Sequence, residues 1–214
     1  MAFMSISVLP AFLEDKTIFV KERANGAYGV AQHALAGMLV SLPFIFLLSL
    51  SAGSICYYCL ALNPGDGRFV LFIANLFVTL AVAESICLLI ATVVPFFIVG
   101  IAAGAFTFGA FMVVEGFFIK VADIPAAWRW MHWVAFHSYS FANFMFIEFD
   151  GRVIGADLTA VPPAPQDFGG ELVLKSFEFE DQDVWENMGV MVGMMLIYRA
   201  MAMLWSHIFH HGKH

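Results

Sequence analysis

Long apolar runs separated by short polar segments dominate the pattern of this chain. A helix needs about 20 apolar residues to cross the roughly 30 Å hydrocarbon layer of a bilayer. The apolar run 69–119 is about twice that length, so it predicts two helices joined by a tight turn near Pro95. The whole pattern predicts an all-α polytopic membrane protein with four full transmembrane helices, at 34–62, 69–94, 96–119 and 185–209.

The polar segments predict how these helices are connected. Residues 63–67, NPGDG, are a dense turn signal and predict a hairpin between the first two spans. The segment 120–184 is the longest connection, and its first part is rich in Trp, Phe and His, which is typical of a membrane interface. We therefore expect an external region at 120–184 with an interfacial or re-entrant helical segment, followed by an irregular loop around 160–170.

Composition supports the membrane assignment and excludes one class of partner. Of the 214 residues, 61% are hydrophobic and 13% are charged, whereas about a quarter of a soluble domain is charged. The net charge is −7, and most of the acidic residues fall between 148 and 186. Beyond Arg23 the basic residues are scattered singly, so the chain offers no cationic stripe for nucleic acid.

Basic residues beside the first span predict the orientation of the chain. Lys16, Lys21 and Arg23 precede that span, and basic residues near the ends of spans favour the cytoplasmic side. The N-terminus is therefore expected in the cytoplasm, and four spans would return the C-terminus to the same side. Arg68 and Lys120 would then lie outside, which weighs against this orientation.

Three ionisable residues fall within the predicted spans: Glu84, Glu115 and Arg199. An acid or an arginine at the centre of a bilayer costs about 2.5 to 3.5 kcal/mol on insertion scales, so each needs a partner or water. Counted from the outer ends at about 1.5 Å per residue, Glu84 and Arg199 both lie roughly 20 Å deep. We predict that these two form an ion pair inside the bundle; the alternative is that each snorkels or lines water separately. Glu115 lies near the outer end of its span, which favours an interfacial role.

Several motifs suggest a redox or metal-binding role, yet each is better explained by helix packing or exposure to solvent. The CYYC motif at 56–59 has redox spacing but lies in an apolar span, which favours packing. His132 and His137 are five residues apart and do not share a helix face as i, i+4 metal ligands do. Four histidines near the C-terminus share one helical stripe without a nearby carboxylate: His207, His210, His211 and His214. We expect a solvated tail there, and we predict no metal site and no catalytic residue; an intramembrane enzyme would need such a site.

The chain also lacks a phosphate-binding loop. No GxxxxGK[ST] sequence occurs in it, and that motif is what cradles the phosphates of ATP in P-loop proteins. ATP and Mg²⁺ would therefore have to be bound by a separate ATP-binding domain. No cofactor is expected in this chain.

Motifs spread over nearly the whole chain resemble one family. In order they are FVKERANGAYGV before the first span, SLPF early in it, AES in the next, the block EGFFIKVADIPAAWRWMHWVAFHSYSFANFMFIEFDG, and IYRAMAMLW in the last span. Together they resemble the membrane domain of ABC-2 type exporters, specifically white/brown-complex (ABCG) half-transporters, and among these the plant subgroup linked to export of cuticular lipids. The pattern ER-x-x-G-x-Y and the block from GFF to EF are the most specific parts.

The resemblance implies a domain of six spans with an ATP-binding domain on its N-terminal side. This chain would then begin near the end of the second span, at 1–12, and would be a partial ABC-2 type transmembrane domain covering 1–214. Residues 13–33 would be the cytoplasmic coupling segment that docks on the ATP-binding domain. Its implied contact residues are Glu14, Glu22, Arg23 and Tyr28, the last packing the turn. The alternative is that this segment only anchors the topology through its basic residues.

The resemblance also implies a mechanism of ATP-driven alternating access around a central apolar cavity, in a homo- or heterodimer of half-transporters in the plasma membrane. The implied cavity wall and outer gate are Gly109, Met112, Val113, Phe117 and Phe118. An apolar wall suits lipid-like or other amphipathic molecules, although an aromatic face of this kind also packs helices. The alternative function is a truncated, non-transporting membrane subunit that dimerises with a full-length transporter and regulates it.

Overall fold

The computed structural model describes residues 2–154 and 168–209. Within these ranges three helices are long and apolar enough to cross a membrane: α2, Val30–Cys59; α3, Arg68–Val93; and α8, Val184–Phe209. A fourth apolar helix, α4, runs over Phe97–Val113 and has 17 residues, which is about 25 Å of helix. Three helices of the described residues thus have the length and composition of a span, and the fourth span stays a prediction.

Helix α4 ends six residues earlier than the predicted span 96–119. The sequence beyond Val113 stays apolar, but Gly116 takes a φ of +107°, a conformation that glycine tolerates and other residues rarely adopt. The chain therefore leaves the helix at this point although its hydrophobicity continues. Glu115, which was expected inside a span, lies just beyond the end of α4 and is buried.

The N-terminal elements pack across one end of the bundle, called here the α1 end. A 3-10 helix covers Ala2–Val8, and α1 covers Leu9–Ala24. Leu9 is fully buried, and it lies beside Gly100 and Gly104 of α4. A Cβ atom on Gly104 would lie 3.4 Å from the Ile6 side chain, so glycine at these positions lets the N-terminal elements approach α4 closely.

The predicted interfacial segment forms two helices, α5 at Arg129–Val134 and α6 at Phe136–Phe149. Helix α6 packs against α3 and α8, so it is built into the bundle instead of lying separately on its surface. Whether it re-enters the membrane stays a prediction.

Buried amides hold α6 in this position. Asn143 Nδ2 donates to Asn75 Oδ1 at 3.0 Å and to the carbonyl of Val184 at 3.3 Å. Asn187 Nδ2 donates to Asn143 Oδ1 at 2.9 Å. Because buried polar groups are costly unless they are paired, this network fixes the register of α6 against α3 and α8.

The opposite end of the bundle, called here the hairpin end, carries the 63–67 connection and the remaining short elements. Strand β1, Val153–Ile154, pairs antiparallel with β2, Phe168–Gly169, and α7 follows at Gly170–Phe177. This two-stranded pair was not expected from the sequence. Most of the predicted irregular loop, and the histidines at 210, 211 and 214, lie outside the described residues.

Helix α3 lies at the centre of the main hydrophobic core, and α2 lies at its edge. Ala81, Val82 and Ala83 of α3 are almost fully buried together with Met191 of α8. By contrast, α2 leaves most of its apolar side chains exposed. Such an apolar outer face is stable in hydrocarbon and unfavourable in water, which accords with a membrane-spanning helix.

Candidate functional site

Glu84 and Arg199 lie together in the interior of the bundle. Arg199 Nη2 donates to Glu84 Oε2 at 2.5 Å, and Arg199 Nε donates to Ser85 Oγ at 2.9 Å. Ser41 Oγ donates to the same Glu84 oxygen at 3.1 Å. Helices α2, α3 and α8 are thus joined by one polar cluster, and each charge has a partner that offsets its transfer out of water.

A cavity of about 90 Å³ extends from this ion pair toward the α1 end of the bundle. Its deep end is formed by Ser41, Glu84 and Arg199, and Phe12 and Phe19 of α1 contribute apolar wall. Around the part nearest α1 it is lined by Asp15, Lys16 and His33. The space is large enough for several water molecules, so the ion pair lies beside a space that can be hydrated.

The turn between α1 and α2 is closed by aromatic and polar contacts. The Tyr28 hydroxyl donates to Glu22 Oε2. This hydrogen bond, with burial and the charge of Glu22 adding to it, raises the pKa of Tyr28 to about 12. The His33 ring stacks on Phe19 with ring centres 4.4 Å apart, and His33 Nε2 lies 3.1 Å from Asp15 Oδ2. Tyr28 therefore contacts α1 across this turn through the carboxylate of Glu22.

The other predicted coupling residues lie in different surroundings. Arg23 Nη1 donates to the backbone carbonyl of Ser206 in the last turn of α8, at 2.9 Å. Glu14 is exposed on α1. The structure therefore engages Glu22 and Arg23 in contacts within the chain, and it leaves Glu14 accessible to a partner.

Sequence reasoning used Lys16 only to orient the chain and missed its contact with the end of α3. Its Nζ donates to the carbonyls of Ala91 and Val94, at 3.2 and 3.0 Å, where α3 ends. Burial lowers the pKa of this amine. A lysine in a helix of mixed polar and apolar residues gives no local signal of such a contact, because its partners lie 75 and 78 residues further along the chain.

The predicted cavity wall forms one side of α4. Gly109, Met112 and Val113 have the i, i+3, i+4 spacing of a single helix face, and a Cβ atom on Gly109 would meet nothing within 4 Å. Met112 and Val113 are exposed. The structure thus places these three residues together on an accessible apolar face.

The predicted gate lies just beyond the end of this face. The rings of Phe117 and Phe118 meet edge to face with centres 5.1 Å apart, and both are exposed. Phe117 also contacts Phe141 and Phe177, at 5.7 and 6.2 Å between ring centres. The phenylalanine pair therefore packs on one side, through Phe117, against α6 and α7.

The histidines and cysteines in the described residues form no metal-binding group of three or more ligands. His132 Nδ1 lies 2.7 Å from the carbonyl of Val114. His137 lies on the next helix, against the rings of Phe108 and Phe136. Cys56 and Cys59 are free thiols on α2.

Comparisons with known proteins find relatives that match most of this chain. The chain is 35% identical over 201 residues to "ABC transporter G family member 11" of Arabidopsis thaliana, and 32% identical over 206 residues to "ABC transporter G family member 1" of Petunia hybrida. It is 30% identical over 197 residues to "ABC transporter G family member 5" of Arabidopsis thaliana. These matches cover 92%, 94% and 91% of this chain, and 28%, 31% and 30% of the respective relatives. The chain thus spans about 30% of the length of the curated relatives that it matches.

A family profile gives the same assignment independently. The profile described as "ABC-2 type transporter" matches residues 1–149, a range that includes α1 to α6. The long apolar helices fit a multi-pass membrane protein. The chain therefore belongs to the ABC-2 type transporter family, and its curated relatives are ABC transporters of the G family.

Proposed function

We propose that this chain forms the membrane-spanning part of an ATP-driven exporter that moves lipid-like or amphipathic molecules by alternating access. The observation that carries the proposal is the accessible apolar face of α4, which ends at the exposed pair Phe117 and Phe118. Apolar surfaces with few polar groups suit apolar ligands. A bulky pair at the end of such a surface can block passage when two copies of the face meet.

The proposed partner on the α1 side is an ABC ATP-binding domain, which would bind ATP and Mg²⁺. Helix α1 offers the exposed side chain of Glu14 on its outer surface. Two of its other polar groups, Glu22 and Arg23, bind Tyr28 of the following turn and the last turn of α8. A partner that moves α1 would therefore also displace the part of the bundle that α1 contacts.

The second proposed partner is another half-transporter, identical or different, that faces α4. The polytopic chain would lie in the plasma membrane with both termini in the cytoplasm, since Lys16, Lys21 and Arg23 cluster at the α1 end. The exposed apolar residues of α4 include Ile98 and Phe106. They give a second copy or a lipid-like molecule a continuous apolar surface to contact.

A chimaera tests the proposal directly. This chain replaces the matching 201 residues of the Arabidopsis relative, member 11, and the protein is reconstituted in liposomes with ATP and a fluorescent long-chain fatty acid. We expect ATP-dependent transport of the probe that does not occur when ATP is replaced by a non-hydrolysable analogue. A chimaera that assembles and hydrolyses ATP but never moves such a probe would contradict the export proposal.

The same system distinguishes the regulatory alternative. This chain, co-expressed with the complete relative, would then co-purify with it and lower its transport without adding any of its own. Transport by the chimaera together with undiminished transport in the co-expression would rule against a purely regulatory role.

A further inference from the structure

Two basic side chains of α1 donate hydrogen bonds to backbone carbonyls at the ends of two other helices. Lys16 Nζ lies 3.2 Å from the carbonyl of Ala91 and 3.0 Å from that of Val94, at the end of α3. Arg23 Nη1 lies 2.9 Å from the carbonyl of Ser206, in the last turn of α8. The last four carbonyls of a helix lack intrahelical partners and carry partial negative charge, so a cation satisfies and stabilises them.

The two attachments are separate points on α1. Lys16 and Arg23 are seven residues apart, which is about 10 Å along a helix axis. Arg23 fastens the C-terminal part of α1 to α8, and Lys16 fastens its middle to α3. A displacement of α1 would therefore move the end of α3 through Lys16 and the end of α8 through Arg23.

The Lys16 attachment lies at the junction between α3 and α4. Val94 follows the last residue of α3, and α4 begins at Phe97. A Cβ atom on Gly100 would lie 3.3 Å from the Val94 side chain, so the junction packs closely on the first turn of α4. Leu9 of α1 lies beside the same glycine. Closely packed segments move together, so a displacement of Val94 would also displace the first turn of α4.

We propose that Lys16 is a positioning residue that passes movement of α1 to the α3–α4 junction and so to the face of α4. The inference rests on the proposed function, since it specifies how a partner domain on α1 would act on the exporting face. Burial lowers the pKa of the Lys16 amine, which agrees with a side chain directed at carbonyls and away from open water.

Lys21 is the matched control. It lies on the same helix and carries the same charge, but its side chain is exposed. A role that depends only on positive charge near the membrane would be shared by Lys16 and Lys21. A role that depends on the two carbonyls belongs to Lys16 alone.

The test compares amide hydrogen exchange of residues 91–100 in the chimaera, without nucleotide and with a non-hydrolysable ATP analogue. We expect the nucleotide to change exchange at this junction in the parent, in Lys21→Met and in Lys16→Arg, which keeps a donor. In Lys16→Met the response should fall about tenfold, as expected for the loss of hydrogen bonds to a charged donor. A thermal unfolding midpoint in detergent close to that of the parent shows that K16M is folded.

An equal response in Lys16→Met and Lys21→Met would overturn the proposal, and so would a junction that does not respond to nucleotide in the parent. The exchange measurement does not depend on transport. A chimaera that moves no probe but loses the response only in K16M therefore refutes the export proposal and supports the role of Lys16.

Discussion

Arg199 of α8 and Glu84 of α3 are in contact at 2.5 Å although 115 residues separate them in the chain. Each side chain is only 12% exposed. Ser85 accepts from Arg199 Nε, and Ser41 donates to the Glu84 oxygen that Arg199 also contacts. A buried pair of this kind is costly to break from one side, because the remaining charge loses the opposite charge that offsets its burial.

We expect Glu84→Gln and Arg199→Met each to lower the free energy of unfolding by about 3 kcal/mol. The double variant E84Q/R199M should lose less than the sum of the two, since it leaves no buried charge behind. Thermal unfolding in detergent, followed by size-exclusion chromatography of the folded fraction, measures both. Glu186→Gln, on the exposed first turn of α8, is the control. Additive losses in the double variant would show that the two residues do not act as a pair.

The buried amide network predicts a second stability effect. Asn143→Ala should lower the free energy of unfolding by about 2 kcal/mol, because it leaves the buried Asn75 Oδ1 without its donor and removes one acceptor of Asn187. Ser51→Ala is the control, since Ser51 is exposed and donates only within its own helix. The same unfolding assay compares the two variants. A loss no larger than that of the control would mean that the network does not hold α6.

The contact between Tyr28 and Glu22 predicts a pH dependence. The pKa of Tyr28 is raised from 10.0 to about 12, so the stability it contributes is fully present below pH 10 and is lost as the pH rises through the folded-state pKa. The tyrosinate absorbance of the parent minus that of Tyr28→Phe isolates this titration. In Glu22→Gln the midpoint of Tyr28 should move down toward 10, because the carboxylate that opposes ionisation is gone. An unchanged midpoint would show that Glu22 does not raise the pKa of Tyr28.

The long apolar helices could be predicted from the sequence alone. The contacts between them could be predicted only in part. Length and hydrophobicity identify α2, α3 and α8, because a run of apolar residues is itself the requirement for crossing a membrane. Depth counted from the helix ends also brought Glu84 and Arg199 together, since helical rise is regular. The end of α4 was missed, because Phe117 and Phe118 continue the apolar pattern while Gly116 turns the backbone. The Lys16 contact was missed for another reason: one chain pattern does not specify which distant carbonyl a flexible lysine will meet.

The phenylalanine pair at the end of α4 gives the last prediction. Phe117→Ala with Phe118→Ala should reduce ATP-dependent transport by the chimaera while ATP hydrolysis continues, since the pair would no longer close the outer end of the apolar face. Phe106→Ala is the matched control: Phe106 is also exposed and aromatic, but it lies on α4 well before the pair. Transport of the fluorescent fatty acid and phosphate release are measured on the same liposomes. If F117A/F118A transports as the parent does, the two rings only pack against Phe141 and Phe177. If F106A loses as much transport as the pair, the effect belongs to the aromatic face as a whole and not to a gate.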